Sequence, residues 1–319
     1  MQVLTPKNRV AMLVRNITLF NINPNLSQTS SLKKRNALPV TCADVFVKNP
    51  VQNHPSISFG CSAEKKILDD LRIIVADELS NPDALVKEVK KGFLEKIAKQ
   101  LSQNGKQPLI IGVAGEPASG KTTVVDTIEN NIKKLSDNKD ELVTVIDEDS
   151  YYEDLTEQLK IYKNYSKLMD NGYDPHNPKT QHLELLREHL NSLKAGKEVA
   201  IPGYNFDTCE SIPGQVGKKP TKIILCEGIF ALNQKLKDLC DIKIYVDSPK
   251  KLIEERYLKR AILRGKDEVT ARKLFSSLEN STQKYIRSSK DDADLVISGN
   301  SSEESVVNFV NRLFSAFKK

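Results

Sequence analysis

The chain reads as an α/β fold built on a doubly wound parallel sheet, and three observations carry that reading. Short apolar, β-branched runs alternate with longer stretches of helical period, the order that places parallel strands between layers of helices. One run, Pro108-Leu109-Ile110-Ile111-Gly112-Val113-Ala114, passes directly into Gly115-Glu116-Pro117-Ala118-Ser119-Gly120-Lys121-Thr122, a full match to G-x-x-x-x-G-K-[ST]. From Thr122 and Thr123 onward the residues suit a helix, so this segment stands between a buried strand and a helix N-terminus. There the loop's backbone N–H groups point at phosphate oxygens, Lys121 reaches the outer phosphates, and the Thr122 hydroxyl can ligate Mg²⁺.

Taken in order, residues 1–63 are rich in Asn, Ser and Pro and poor in acids, and they lack sustained periodicity. They read as a largely disordered basic extension. An organelle transit peptide is the alternative for this start, although no long amphipathic Arg-rich helix accompanies it. Residues 64–105 are expected as a helical N-terminal appendage. Ile67, Leu68, Leu71, Ile74 and Val75 make one apolar stripe. After Asn81-Pro82, a cap followed by an N1 proline, Leu85, Val89, Phe93, Ile97 and Leu101 make another, which Gly105 ends. Residues 106–319 then form the main domain. Strands are expected near 108–114, 142–147, 222–227, 242–247 and 294–298, with helices near 121–135, 155–169, 180–194, 249–264, 267–285 and 302–317.

Composition narrows the classes. No apolar run approaches the ~18 residues that cross a bilayer, so no membrane-spanning segment is expected. Five widely spaced cysteines, Cys42, Cys61, Cys209, Cys226 and Cys240, form no C-x-x-C pair, which favours free thiols in a reducing, cytoplasmic setting. The four histidines lack metal-ligand spacing, and His182 and His189 read as surface residues of a helix. The net charge of +6 suggests nucleic acid until it is divided along the chain. Residues 1–63 hold seven of the 48 Lys and Arg but one of the 42 acids, so the body carries 41 of each and no nucleic-acid partner is expected.

Phosphoryl transfer needs more than a phosphate loop. The strand Leu142–Ile146 runs into Asp147-Glu148-Asp149-Ser150-Tyr151-Tyr152, putting carboxylates at a strand's carboxyl end, where open α/β sheets bind ligands. A carboxylate there can accept the proton of an attacking hydroxyl or hold Mg²⁺. Ile223-Ile224-Leu225-Cys226 delivers Glu227 to a second strand end, suited to orienting Mg²⁺ or its water. Arg256, Arg260 and Arg264 lie four apart on one helix face, an arrangement of like charges that suits a lid over anions.

These segments together resemble the uridine kinase and phosphoribulokinase family of P-loop kinases over about residues 106–299. The matching elements are G-x-P-A-S-G-K-T-T at 115–123, E-D-S-Y-Y at 148–152, Y-D-P at 173–175, P-G-Y-N-F at 202–206, C-E-G-I at 226–229, Y-V-D at 245–247, and K-Y with A-D-L-V-I at 284–297. The resemblance implies ATP and Mg²⁺ as cofactors and a small-molecule acceptor, a nucleoside or a sugar phosphate, phosphorylated on a ribose-like hydroxyl. It implies Lys121 and Asp149 as catalytic residues, Asp149 serving as general base and, with Thr122 and Glu227, as magnesium partner. Arg260 and Arg264 would join residues 115–123 on the ATP phosphates. Asp174 would grip sugar hydroxyls and Tyr204 would line the substrate pocket, with Arg256 also on the substrate side. Members often associate, so a homo-oligomer is compatible with it.

One departure bears on the acceptor. Uridine kinases usually continue after Y-[DN]-F with x-x-H-x-R, whose His and Arg help recognise the pyrimidine, whereas Cys209 and Ser211 stand at those positions here. Neither can replace imidazole or guanidinium. Phosphoribulokinases carry Y-N-H in this segment, which Tyr204-Asn205-Phe206 half matches. The leading expectation is a uridine or cytidine kinase, ahead of a sugar-phosphate kinase and a catalytically silent nucleotide-binding regulator.

Overall fold

The computed structural model describes residues 62–80, 85–95, 98, 108–135 and 142–317. The basic extension read for residues 1–63 lies outside them except for its last two positions.

The apolar run before the phosphate loop forms β2 (Leu109–Gly115), after β1 (Val86–Val89) in chain order. The other sheet strands are β3 (Val143–Asp147), β6 (Ile223–Gly228), β7 (Ile242–Asp247) and β8 (Leu295–Ser298). They assemble as β1-β8-β7-β2-β6-β3, with β2 in the interior and parallel to both neighbours. The five expected strands are thus β2, β3, β6, β7 and β8, and every pair among them is parallel.

The period of two along each strand builds two cores. Ile111 and Val113 of β2 face a cluster containing Leu68 and Leu71 of α1 (Ser62–Ser80), Val124 and Ile132 of α2 (Lys121–Leu135), and Val306 and Phe309 of α8 (Glu303–Phe317). Ile110 and Ala114 face the opposite cluster, with Leu183, Leu186, Leu190 and Leu193 of α5 (Leu183–Lys194). That stripe recurs at the spacing of one helix face, and truncating Leu186 or Leu190 to alanine costs about 2–5 kcal/mol because each is fully buried. The longest described helix, α1, is not long and apolar enough to cross a membrane, nor is any other described helix.

Four local expectations change. The second appendage helix is not formed at its start. Residues 86–89 are strand β1, antiparallel to β8, with Val86 opposite Ile297 and Val89 opposite Leu295. The helical spacing of Leu85, Val89 and Phe93 is real, but two β-branched residues beside an open sheet edge gain more from ladder bonds and burial. The sheet is accordingly parallel except at this edge.

A hairpin also went unread: β4 (Val199–Asn205) and β5 (Glu210–Lys218) pair antiparallel as a separate two-stranded sheet. Pro202 and Gly203 interrupt the strand pattern, and the register slips there, between Ile201 and Gly203. The single helix expected over 155–169 is two, α3 (Thr156–Tyr162) and α4 (Tyr165–Asp170). Lys163 closes the first at φ 72° and the Asn164 side chain caps the second. The helix expected over 267–285 is α7 (Glu268–Ser277) followed by one short turn at 279–281 and a π-helical turn at 282–286.

Candidate active site

β2 ends at Gly115 and α2 begins at Lys121, so residues 116–120 bridge a central strand to a helix N-terminus. Gly120 adopts φ +99°, and a Cβ there would approach the carbonyl oxygen of Gly299 to 2.6 Å, which leaves glycine as the residue that fits. The loop's outer side is held by three groups. Ser248 donates its hydroxyl to the Ser119 carbonyl at 2.9 Å, and Glu116 is buried on Arg287. The third is Arg256 on α6 (Lys250–Leu263), whose Nη1 donates to the Gly299 carbonyl at 3.0 Å. The same Nη1 reaches the Ser119 carbonyl of the phosphate loop at 3.4 Å, so the structure places Arg256 against the backbone of Ser119 and Gly299, whereas the sequence reading set it on the acceptor side. The signal for this was absent from the helical spacing, which says which face a residue takes but not what that face meets.

The other two arginines take different stations. Four residues of helix advance about 6 Å, so the row runs along the cleft. Arg260 stays exposed to solvent along its length, yet its guanidinium lies near Asp149 and Tyr152, where the surrounding protein first, then Arg264, push it below its ordinary range. The Arg264 guanidinium, at the C-terminal end of α6, lies 5.9 Å from the Phe206 ring centroid.

Carboxylates gather at the strand ends opposite. The Asp147 side chain accepts the Asp149 N–H at 2.9 Å, which turns the chain and sends the next residues in different directions. Glu148 goes into the core, where the Phe230 N–H reaches both of its oxygens at 2.9 Å and burial pushes its carboxyl well up. Asp147 opens onto solvent in the cleft, yet the protein around it thins that solvent. Burial, then Asp149, raise its carboxyl to about 6. Glu227 is buried across from it and is raised to about 7 by burial and then by Asp147, with Lys121 opposing. Lys121, Asp147, Asp149 and Glu227 thus share one electrostatic neighbourhood at the mouth of the loop.

The Oε2 atom of Glu227 is buried and meets no hydrogen-bond partner. An orphaned carboxylate oxygen beside Asp147 and Asp149, with the Thr122 hydroxyl at the start of α2, is a set of hard oxygen donors that fits Mg²⁺. Among the described residues no three His, Cys, Asp or Glu form a metal cluster by themselves.

The acceptor side is aromatic. Tyr204 and Phe206 at the end of β4 meet at 5.0 Å between ring centroids, and Tyr152 packs on Tyr204 at 5.5 Å. Asp174 accepts the His176 N–H at 2.9 Å, and the His176 ring bonds Thr282 at 2.8 Å. Burial lowers that imidazole to about 4, so it is neutral. His189, read as a surface residue, instead bonds the buried Tyr151 hydroxyl at 2.8 Å, while His182 is exposed. Tyr152, Phe206, His176, Arg287 and Ser248 were not singled out individually from sequence. Tyr152 and Phe206 sat inside recognisable segments, whereas nothing marked the other three.

The phosphoribulokinase / uridine kinase family model matches residues 110–305. The chain belongs to that family. Its relatives include a uridine kinase of Shewanella frigidimarina, 33% identical over 204 residues, which covers 61% of this chain and 89% of the relative. Uridine kinase-like protein 5 of Arabidopsis thaliana is 32% identical over 195 residues, covering 60% of this chain and 39% of that longer protein. Among solved structures, a fructose transport system kinase, so described as putative, from Silicibacter sp. TM1040 aligns with 63% of this chain and 95% of its own at TM-score 0.49 and 18% identity. Membership makes the chain a kinase-type phosphotransferase, and kinases of this family generally use ATP with Mg²⁺.

At the departure from the family pattern, Cys209 and Ser211 are tied in through their backbone groups. Cys209 lies in the β4–β5 turn at φ 55°, its carbonyl accepts the Leu155 N–H at 2.9 Å, and its thiol is buried. The Ser211 N–H donates to Asp154 at 2.9 Å. Both residues fasten the hairpin to the segment that precedes α3.

Proposed function

We propose that this phosphoribulokinase / uridine kinase family member transfers the γ-phosphoryl group of Mg-ATP to a hydroxyl of a ribose-like acceptor, with uridine or cytidine as the first candidates. The observation that carries the reading is the meeting of Lys121, Asp149 and Arg260 between the phosphate loop and the aromatic wall of Tyr152, Tyr204 and Phe206.

In this reading residues 115–123 bind the triphosphate and Lys121 neutralises charge on the transferring group. Asp149 accepts the acceptor hydroxyl's proton as the new O–P bond forms and the bond to the ADP oxygen breaks. Thr122, Asp149 and Glu227 would hold Mg²⁺, which would supply charge neutralisation at the phosphates. Arg260 approaches the transferred group from the lid side, Arg264 the far edge of the cleft. Asp174 receives sugar hydroxyls and Tyr204 covers the sugar. Residues 106–319 make up the kinase domain, with α1 and β1 added at one side.

A sugar-phosphate acceptor is the second reading, favoured by the Arg264 guanidinium on the acceptor wall over Phe206. Coupled ADP production decides between them, with uridine, cytidine, a purine nucleoside, 2′-deoxyuridine and ribulose 5-phosphate compared under one set of conditions. Uridine and cytidine are expected to stimulate ADP release, 2′-deoxyuridine to fail, and the purine nucleoside to be rejected only weakly, because no imidazole or guanidinium stands at 209 and 211. Activity on ribulose 5-phosphate alone moves the assignment to sugar phosphates. Stimulation by none of the five defeats both readings.

A further inference from the structure

Glu116 occupies the second position of the phosphate loop, where a carboxylate opposes the anion that such a loop receives. Its charge is met by Arg287, whose Nε donates to Oε1 at 2.8 Å and whose Nη2 donates to Oε2 at 2.9 Å. The same guanidinium donates through Nη1 to Glu279 at 3.0 Å and to Gln283 at 2.6 Å. Glu279 also holds Lys250 at 2.9 Å, so it keeps a cation whether or not Arg287 is present. Glu116 is buried, and a planar two-bond fork on a buried carboxylate is the arrangement in which arginine is least replaceable.

We propose that Arg287 is a positioning residue for nucleotide binding: it cancels the charge of Glu116 and braces the phosphate loop, so that a loop carrying its own carboxylate still receives a polyphosphate. Removing one partner of a buried pair leaves an uncompensated charge, whereas removing both leaves none. Arg287 acts through Glu116 and has no part in the transfer itself. The inference rests on the reading of residues 115–122 as the phosphate loop.

The test is a double-substitution cycle on the full chain, with ADP affinity measured by calorimetry and KM for ATP and kcat measured beside it. Arg287→Gln is expected to weaken ADP binding and raise KM for ATP about tenfold or more, with a smaller change in kcat at saturating ATP. Glu116→Gln is expected to bind ADP at least as well as wild type. The double variant Glu116→Gln/Arg287→Gln should recover affinity to within about threefold of wild type. Arg287→Lys, which keeps the charge and loses the fork, should fall between wild type and Arg287→Gln.

Unchanged ADP affinity in Arg287→Gln overturns the proposal, as does a double variant that binds as weakly as Arg287→Gln. If Arg287→Gln does not fold, Arg287→Lys and the double variant carry the comparison. A double variant that also fails to fold overturns the proposal, because Arg287 would then serve more than the charge of Glu116. A wild-type chain that takes up no ADP defeats the phosphate-loop reading itself, a result separate from the others.

Discussion

Glu227 stands directly across the sheet from Asp147, the two forming the last register pair between β6 and β3. Parallel pairing delivers both carboxylates to the same end of the sheet. Burial and then Asp147 raise the proton affinity of Glu227, whose second oxygen has no partner, while burial and then Asp149 raise that of Asp147.

The first prediction follows from this pair. Without divalent cation, the folded chain holds protons on Glu227 and Asp147 that the unfolded chain releases at about pH 4 to 4.5. The associated stability is present below that range and is lost as pH rises toward about 6 to 7. The thermal midpoint in chelator should therefore fall between about pH 5 and 7.5, and Glu227→Gln should remove part of the fall. A midpoint that is flat with pH in both proteins would show that the pair is not strained.

Lys121→Ala should lower kcat by about a thousandfold or more while the fold persists, because the ammonium acts on charge that develops in transfer. Lys121 lies partly open at the start of α2, so its truncation leaves no cavity. A folded variant with near-wild-type turnover would end the phosphate-loop reading.

Asp149→Asn should reduce kcat far more than it weakens ATP binding, since an amide accepts no proton and offers no charge to Mg²⁺. Separate measurement of nucleotide affinity and single-turnover rate distinguishes the two. Equal losses in both would assign Asp149 a structural role and make Asp147 the better proton acceptor.

Gly299→Ala should impair nucleotide binding at a distance in sequence. A Cβ at this position would overlap the Ser119 carbonyl, and backbone cannot swing aside as a side chain can. The expected result is a lower melting temperature, by the 1–3 kcal/mol typical of overpacking, together with weaker ADP affinity. Unchanged affinity with a lowered melting temperature would separate loop shape from stability.

The sequence by itself determined the sheet and the loop. Apolar β-branched runs such as 109–115 and 223–228 can only be buried on two faces, and a G-x-x-x-x-G-K-T segment between strand and helix has few conformations open to it. It also placed Asp147, Asp149 and Glu227 at strand ends, since that follows from strand length alone. Tertiary structure decided what one chain segment meets on another. Val86 and Val89 became an edge strand because β8 offered an unpaired ladder, and a hairpin formed across Pro202-Gly203 where local pattern argued against one. Helical spacing put Arg256, Arg260 and Arg264 on one face, yet only packing sent the first to loop carbonyls and the last to Phe206. Arg287 reaches Glu116 from 171 residues away, and no periodicity encodes such a partner. Local forces set period and turn within a few residues, whereas ion pairs and edge pairings depend on which surfaces the finished core brings together.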